Sequence, residues 1–227
     1  ITADLRQEDG RDLVRQLVAH CDVVVENFRP GRLEAWGLGY EALKAINPGL
    51  IMVRISGFGQ TGPYARRPGF AAVAEGVGGL RYVNGFPDRP PARANLSLGD
   101  TIGGLHAVIG LLLALHHRDG KRTGDGQVVD VALYESIFNL MESSLPEYAT
   151  AGVIRERHGS TVSGIVPTNV YPCADGRYII VGGNADSIFR RLMRAIDRSD
   201  LADDPRLATN EGRVPPATTI DEAIGAW

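Results

Sequence analysis

Asp100 stands in the run Ser97-Leu98-Gly99-Asp100-Thr101-Ile102-Gly103-Gly104-Leu105-His106, one carboxylate on a glycine-rich turn at the mouth of an apolar helix. Two uses fit such a residue. Aspartate is a preferred N-cap, accepting an orphan backbone N–H, and residues 105–115 read as the helix it would cap. The same position suits a nucleophile, because a helix N-terminus favours the ionised carboxylate. Local sequence weighs the two readings evenly, and they are compatible.

Two other segments have the composition of ligand loops: Glu26-Asn27-Phe28-Arg29-Pro30-Gly31 and Ser56-Gly57-Phe58-Gly59-Gln60-Thr61-Gly62-Pro63-Tyr64. Gly57, Gly59 and Gly62 match the spacing of a dinucleotide fingerprint after a strand. Pro63 and Pro68 deny that loop the helix that would receive a pyrophosphate, and no acidic residue about 20 positions on ends a neighbouring strand, so a dehydrogenase is disfavoured. No Gly-x-Ser-x-Gly elbow is present for a serine hydrolase. His116 and His117 diverge around a helix, while His20, His106 and His158 lack ligand-spaced partners, so no metal site is expected. Arg29, Arg32, Arg54, Arg66 and Arg67 gather around the two loops and bias them toward phosphates or carboxylates, although each alone reads as solvated surface.

The elements that must position these residues alternate. Apolar periodicity predicts helices over 9–20 and 40–46, and Val- and Ile-rich runs predict buried strands over 22–25, 50–55 and 127–133. A long helix is expected over 134–151. This pattern is α/β, Rossmann-like with a parallel sheet, and places ligands beyond the carboxyl ends of the strands. After residue 157 the character changes: 170–172 and 178–181 form a hairpin across Ala174-Asp175-Gly176. An amphipathic helix over 187–196 follows, with Phe189, Leu192, Met193 and Ile196 inward. The expected organisation is a partial large Rossmann-like domain over 1–151, a linker over 152–166, and part of a smaller α+β domain over 167–227.

With 44% hydrophobic residues and a net charge of −3 over 227 residues, the composition is globular and marks neither a nucleic-acid nor a membrane surface. Cys21 and Cys173 suggest no disulfide framework, which fits a reducing cytoplasm. The run 105–115 is too short to span a bilayer and reads as a buried core helix. The chain opens at Ile1 and stops at Trp227 inside an apparent helix, so it reads as a fragment.

The segment ENFRPG with Asn27, the loop SGFGQTGPY, Asp100 within LGDTIGGLHAVIGLLLAL, and TGDGQVVDVALYES together resemble the class III CoA-transferases in order and spacing. The resemblance implies interlocked homodimers, each subunit a Rossmann-like domain plus a small domain, with no permanently bound cofactor and a coenzyme A thioester as substrate. It implies that Asp100 is the nucleophile, attacking an acyl-CoA to give an aspartyl anhydride and then an aspartyl-CoA thioester, whose CoA passes to a carboxylic acid. Asn27, Phe28 and Arg29 match the CoA-contacting motif, and Gly57, Phe58, Gly59 and Gln60 match the loop near the thioester. Where some relatives carry a later arginine this chain has Ala35, so Arg29 or Arg32 is implied for the phosphates.

Exchange of one thioester for another is nearly isoenergetic and needs neither ATP nor metal, and backbone N–H groups of the 57–62 loop are candidate oxyanion donors. The stretches RERHGS and VPTNVYP look most like members that use succinyl-CoA and a dicarboxylate, with Arg66, Arg67 or Arg155 as partner for the second carboxylate. An α-methylacyl-CoA racemase of the same fold is the alternative, but its upstream histidine falls on Phe70. A non-catalytic CoA-binding subunit is the second alternative.

Overall fold

The computed structural model describes residues 1–227. Helices and strands follow in the order α1 (Glu8–Val18), β1 (Val23–Glu26), α2 (Arg32–Ala35), α3 (Tyr40–Lys44), β2 (Ile51–Ser56), α4 (Ala71–Val77), α5 (Leu80–Val83), α6 (Leu98–Leu115), β3 (Val128–Ala132), α7 (Leu133–Phe138) and α8 (Ser144–Ala151). β1, β2 and β3 form one parallel sheet with β2 in the centre, Glu26 beside Arg54 and Ser56 beside Ala132. Successive side chains of a strand point to opposite faces, so β2 feeds two cores. Met52 packs with Val18, Leu33, Leu38 and Leu43 on one side, and Ile51 and Val53 with Ala107, Ala114 and Val131 on the other. Helices on both faces of a parallel sheet give the expected α/β class.

α6 differs from expectation in length and in burial. It begins at Leu98, so Asp100 is the third residue of the helix and Ser97 stands at its N-cap. Glycines 99, 103 and 104 read as a turn because each costs a helix about 1 kcal/mol relative to alanine. Close packing overrides that cost: a Cβ at Gly103 would lie 2.4 Å from Leu133, and one at Gly110 would lie 2.6 Å from Val129. The helix is therefore not a core helix buried all round. Its glycine and alanine side lies on the sheet, while Leu105, Val108, Ile109, Leu112 and Leu113 are 53–66% exposed. With the π-helical turn His116–Gly120 it is long and apolar enough to cross a bilayer by length and composition, unlike the shorter run expected. The single helix expected over 134–151 is two, α7 and α8, interrupted where Glu142 takes a left-handed conformation.

The second unit contains a hairpin of β4 (Thr168–Pro172) and β5 (Tyr178–Gly182), then α9 (Asp186–Ala195), α10 (Ser199–Ala202), α11 (Asn210–Arg213) and α12 (Ala217–Gly225). Phe189, Met193 and Ile196 pack with Tyr171, Ile220 and Ile224, and Leu192 borders them. Fully buried Arg213 donates to the carbonyls of Val166 and Leu207 and to the Asp186 carboxylate, joining three loops. The boundaries differ from the sequence expectation. One unit is Ile1–Tyr82 with Arg93–Ile154, and the other is Val83–Ala92 with Arg155–Trp227. Gly85 accounts for the excursion, since its positive φ turns the chain and its carbonyl accepts from Gly159 N–H at 2.9 Å.

Candidate active site

The loop after β1 is shaped by a buried acid. Glu26, 5% exposed, accepts Phe28 N–H at 2.7 Å with one oxygen and the Arg54 Nε at 2.6 Å with the other. Arg54 reaches on from β2 to Glu34 of α2, with Nη1 2.6 Å and Nη2 3.3 Å from its two oxygens. Burial disfavours the Arg54 charge, yet the hydrogen bonds to Glu34 and Glu26 outweigh it and keep the guanidinium protonated. In return Arg54 holds the Glu34 carboxyl below its ordinary range. Arg54 is thus consumed by this clamp and cannot serve a ligand, a correction to its place among the five arginines above. Asn27, Phe28 and Arg29 emerge exposed from the clamp, with Phe28 edge-on to Trp36. Gly31 then turns the chain into α2 at φ +83°, a conformation that favours glycine.

The loop after β2 is pinned in the same manner. Gln60 N–H donates to the Asp130 carboxylate of β3 at 2.9 Å, so this amide is not available as an oxyanion donor. Phe58 is buried, packed against Tyr64 and Tyr134 with ring centroids 5.6 Å away in each case. Its place is beneath the loop. A Cβ at Gly57 would lie 2.6 Å from the Gly69 Cα, so the loop rests directly on that residue.

Asp100 is exposed and close to this assembly through the same stretch of chain. Gly99 packs on Ala71, where a Cβ would meet backbone and side chain at 3.0 Å. Residues 69–71 thus carry the 57–60 loop at one end and the Asp100 turn at the other. Ser97 makes no side-chain cap, and the Gly99 N–H goes instead to Glu75 of α4 at 3.3 Å. Helical side chains lean toward the N-terminus, so residue 104 would cover Asp100; Gly104 has no side chain and nothing within 4 Å of where a Cβ would be. Asp100 is thus exposed with no side chain at residue 104 to cover it. Phe70, at the head of α4, is 65% exposed, and no imidazole occupies that position. His106 Nδ1 donates to the Ile102 carbonyl at 2.9 Å, and its Nε2 faces the Asn139 amide at 3.1 Å.

Arg29 and Arg32 share one cleft of about 420 Å³ with Arg66, Arg67, Pro30, Gly31, Ala35 and Ala65. None of the four guanidiniums has a carboxylate partner, and Arg67 lies 4.0 Å over the Tyr64 ring. The cleft brings together arginines that the sequence had divided between phosphate and carboxylate. Asn27, Phe28 and the 57–60 loop do not line it.

The family model for CoA-transferase family III matches residues 1–227. The chain belongs to CoA-transferase family III. This family III chain is 52% identical to the succinyl-CoA–D-citramalate CoA-transferase of Chloroflexus aurantiacus, over 100% of its own length and 56% of that protein. It is 38% identical to the succinate–glutarate CoA-transferase of Agrobacterium fabrum, over 99% of its length and 55% of that protein. Among solved structures it is similar to a CAIB/BAIF family protein from Brucella suis, with TM-score 0.81 and 40% identity over 100% of this chain and 60% of that one. The family III chain therefore spans a little over half the length of the curated relatives it matches.

What the sequence did not reveal are the acids beneath the site. Glu26, Glu75 and Asp130 each accept a backbone N–H from a site loop or turn. Glu26 lies only two residues before Phe28, but its longer side chain is not the Asp or Asn that marks such a turn in sequence, so none of the three carries a local signal.

Proposed function

We propose that this chain carries the CoA-ester cleft and the nucleophile of a transferase that moves CoA from succinyl-CoA to a dicarboxylic acid. The observation that carries this reading is Asp100: an exposed carboxylate on the first turn of α6, relieved of capping, uncovered at Gly104 and joined through residues 69–71 to a glycine loop. The names of the relatives supply the donor and the acceptor class. An Asp100 oxygen attacks the thioester carbonyl, the C–S bond breaks, and CoA leaves as thiolate. That thiolate attacks the aspartyl carbonyl of the mixed anhydride, releasing succinate and leaving CoA on Asp100. The acceptor carboxylate attacks the aspartyl-CoA carbonyl and expels CoA thiolate, giving a second mixed anhydride. The thiolate then attacks the acceptor's carbonyl in that anhydride, which frees the Asp100 carboxylate and forms the acceptor's CoA ester. The four arginines of the cleft complement the CoA phosphates, and Asn27, Phe28, Arg29 and Arg32 contact the nucleotide. Gly57, Gly59 and Gln60 border the thioester, with Phe58 supporting them from below.

The test is thioester exchange by the full-length protein, with succinyl-CoA and a panel containing D-citramalate, L-malate, glutarate and mesaconate. At least one acceptor is expected to become its CoA ester, with a KM for succinyl-CoA that rises with salt as the arginine cleft is screened. Hydroxylamine is expected to leave a hydroxamate on Asp100. Absence of exchange with every acceptor, or exchange with no trapped Asp100, overturns the proposal.

Gly104 gives an independent prediction. Ala fits there without displacement, so Gly104→Ala should raise the melting temperature, helix propensity contributing about 0.5–1 kcal/mol. Gly104→Leu should fold equally well and lower kcat/KM by on the order of 10²-fold, by laying a side chain over Asp100. A folded Gly104→Leu variant with parental kcat/KM would show that the approach lies elsewhere.

A further inference from the structure

Glu75 is 2% exposed, yet it is an acid with no part in the reaction just described. Its Oε2 accepts from Arg81 Nε at 2.7 Å, and its Oε1 accepts the Gly99 N–H at 3.3 Å, one residue before Asp100. The first amides of a helix lack intrahelical partners and carry partial positive charge, so a carboxylate from another helix can cap them. Ser97, at the N-cap, makes no such bond, and Asp100 is exposed.

We infer that Glu75 is the positioning residue for Asp100, a cap supplied from α4 that fixes the first turn of α6 and spares the Asp100 carboxylate for chemistry. The inference rests on the reading of Asp100 as nucleophile. It also explains how the turn tolerates turnover. In the anhydride and in the thioester Asp100 loses its negative charge, and a helix start that depended on that charge would weaken during the reaction. Glu75 takes no acyl group or CoA in this scheme, and it lies buried beneath the turn, bonded to Arg81. The glycine contact of residue 99 with Ala71 holds the two helices at the separation this bond needs.

Three variants of the full-length protein test the assignment. Glu75→Ala removes the cap; kcat and the single-turnover rate of Asp100 hydroxamate formation should fall on the order of 10- to 100-fold through misplacement of the nucleophile, with the KM for succinyl-CoA unchanged within about twofold. Glu75→Gln offers one carbonyl oxygen to Gly99 but turns an NH2 toward Arg81. Glu75→Gln with Arg81→Met removes that mismatch and should recover most of the kcat even where the melting temperature stays below the parent. A Glu75→Ala variant with parental kcat overturns the inference. So does a Glu75→Gln/Arg81→Met variant that folds but has lost kcat more than tenfold, which also decides the matter if Glu75→Ala does not fold.

Melting temperatures separate this inference from the functional reading. Asp100→Ala should leave the melting temperature almost unchanged in the parent and lower it clearly in the Glu75→Gln/Arg81→Met and Glu75→Ala backgrounds, where Asp100 becomes the remaining acid at the helix start. If the parent exchanges no thioester, the proposed function fails while this cycle still judges the cap. An equal, small effect of Asp100→Ala in every background rejects the cap.

Discussion

Asp100→Ala is expected to reduce thioester exchange by on the order of 10⁴-fold or more, the scale on which loss of a covalent nucleophile is felt, and to abolish hydroxylamine trapping. That corresponds to about 5 kcal/mol of transition-state stabilisation. The stability of the protein should hardly change, because the first turn of α6 takes its cap from Glu75 and Asp100 faces solvent. Loss of a charge near a helix N-terminus contributes about 0.3–1 kcal/mol. Exchange rates within tenfold of the parent, measured on folded Asp100→Ala protein, would remove Asp100 from the mechanism.

The second large effect is on the clamp behind the β1 loop. Arg54→Met leaves Glu26 buried without its cation and is expected to cost about 3–5 kcal/mol, the usual penalty for orphaning one member of a buried pair. For a chain of this size that lowers the melting temperature by about 10 °C. Replacing both members, Glu26→Leu with Arg54→Met, should recover most of the stability, because two well-packed apolar side chains carry no desolvation penalty. Binding should not recover with it. Phe28 N–H has lost its acceptor, the loop holding Asn27 and Arg29 is no longer pinned, and the KM for succinyl-CoA should remain about tenfold raised. Calorimetry together with steady-state kinetics separates the two readouts; a double variant with parental KM would mean that the clamp is structural only. Acid should loosen the same clamp. Glu34 is held below its ordinary pKa by Arg54, so its contribution is present above the unfolded-state value and is lost as pH falls through the depressed one.

How far these features could be read from sequence follows from how local their causes are. Ile51 to Ser56 announces itself as a strand, because a parallel strand covered on both faces is mostly apolar, and Val23 to Glu26 is legible by its valine run although Val25 is exposed on this edge strand. The same reasoning fails for α6. Gly99, Gly103 and Gly104 argue locally for a turn, and the start of the helix at Leu98 is decided by contacts with Ala71 and Leu133, residues far away in the chain. Arg54 illustrates the limit at the site. It lies among arginines in a basic neighbourhood, but only the pairing of β1 with β2 places Glu26 beside it. Arg66 and Arg67 are legible as part of that group, and folding gathers them with Arg29 and Arg32 into one cleft. Segment 83–92 falls inside the large unit by sequence, yet it groups with residues 155–227, and the Gly85 carbonyl accepts the Gly159 N–H.

The parallel pairing of β2 with β3 has a consequence for the newborn chain. Val128 to Ala132 leave the ribosome long after Ile51 to Ser56, and no hairpin can substitute for that partner. During this interval one edge of the most apolar strand is unpaired, and until residues 98–115 emerge the far side of the sheet also lacks α6. Pairing of β2 on this edge therefore waits on β3, a long-range contact that slows folding and leaves the strand edge open in the meantime.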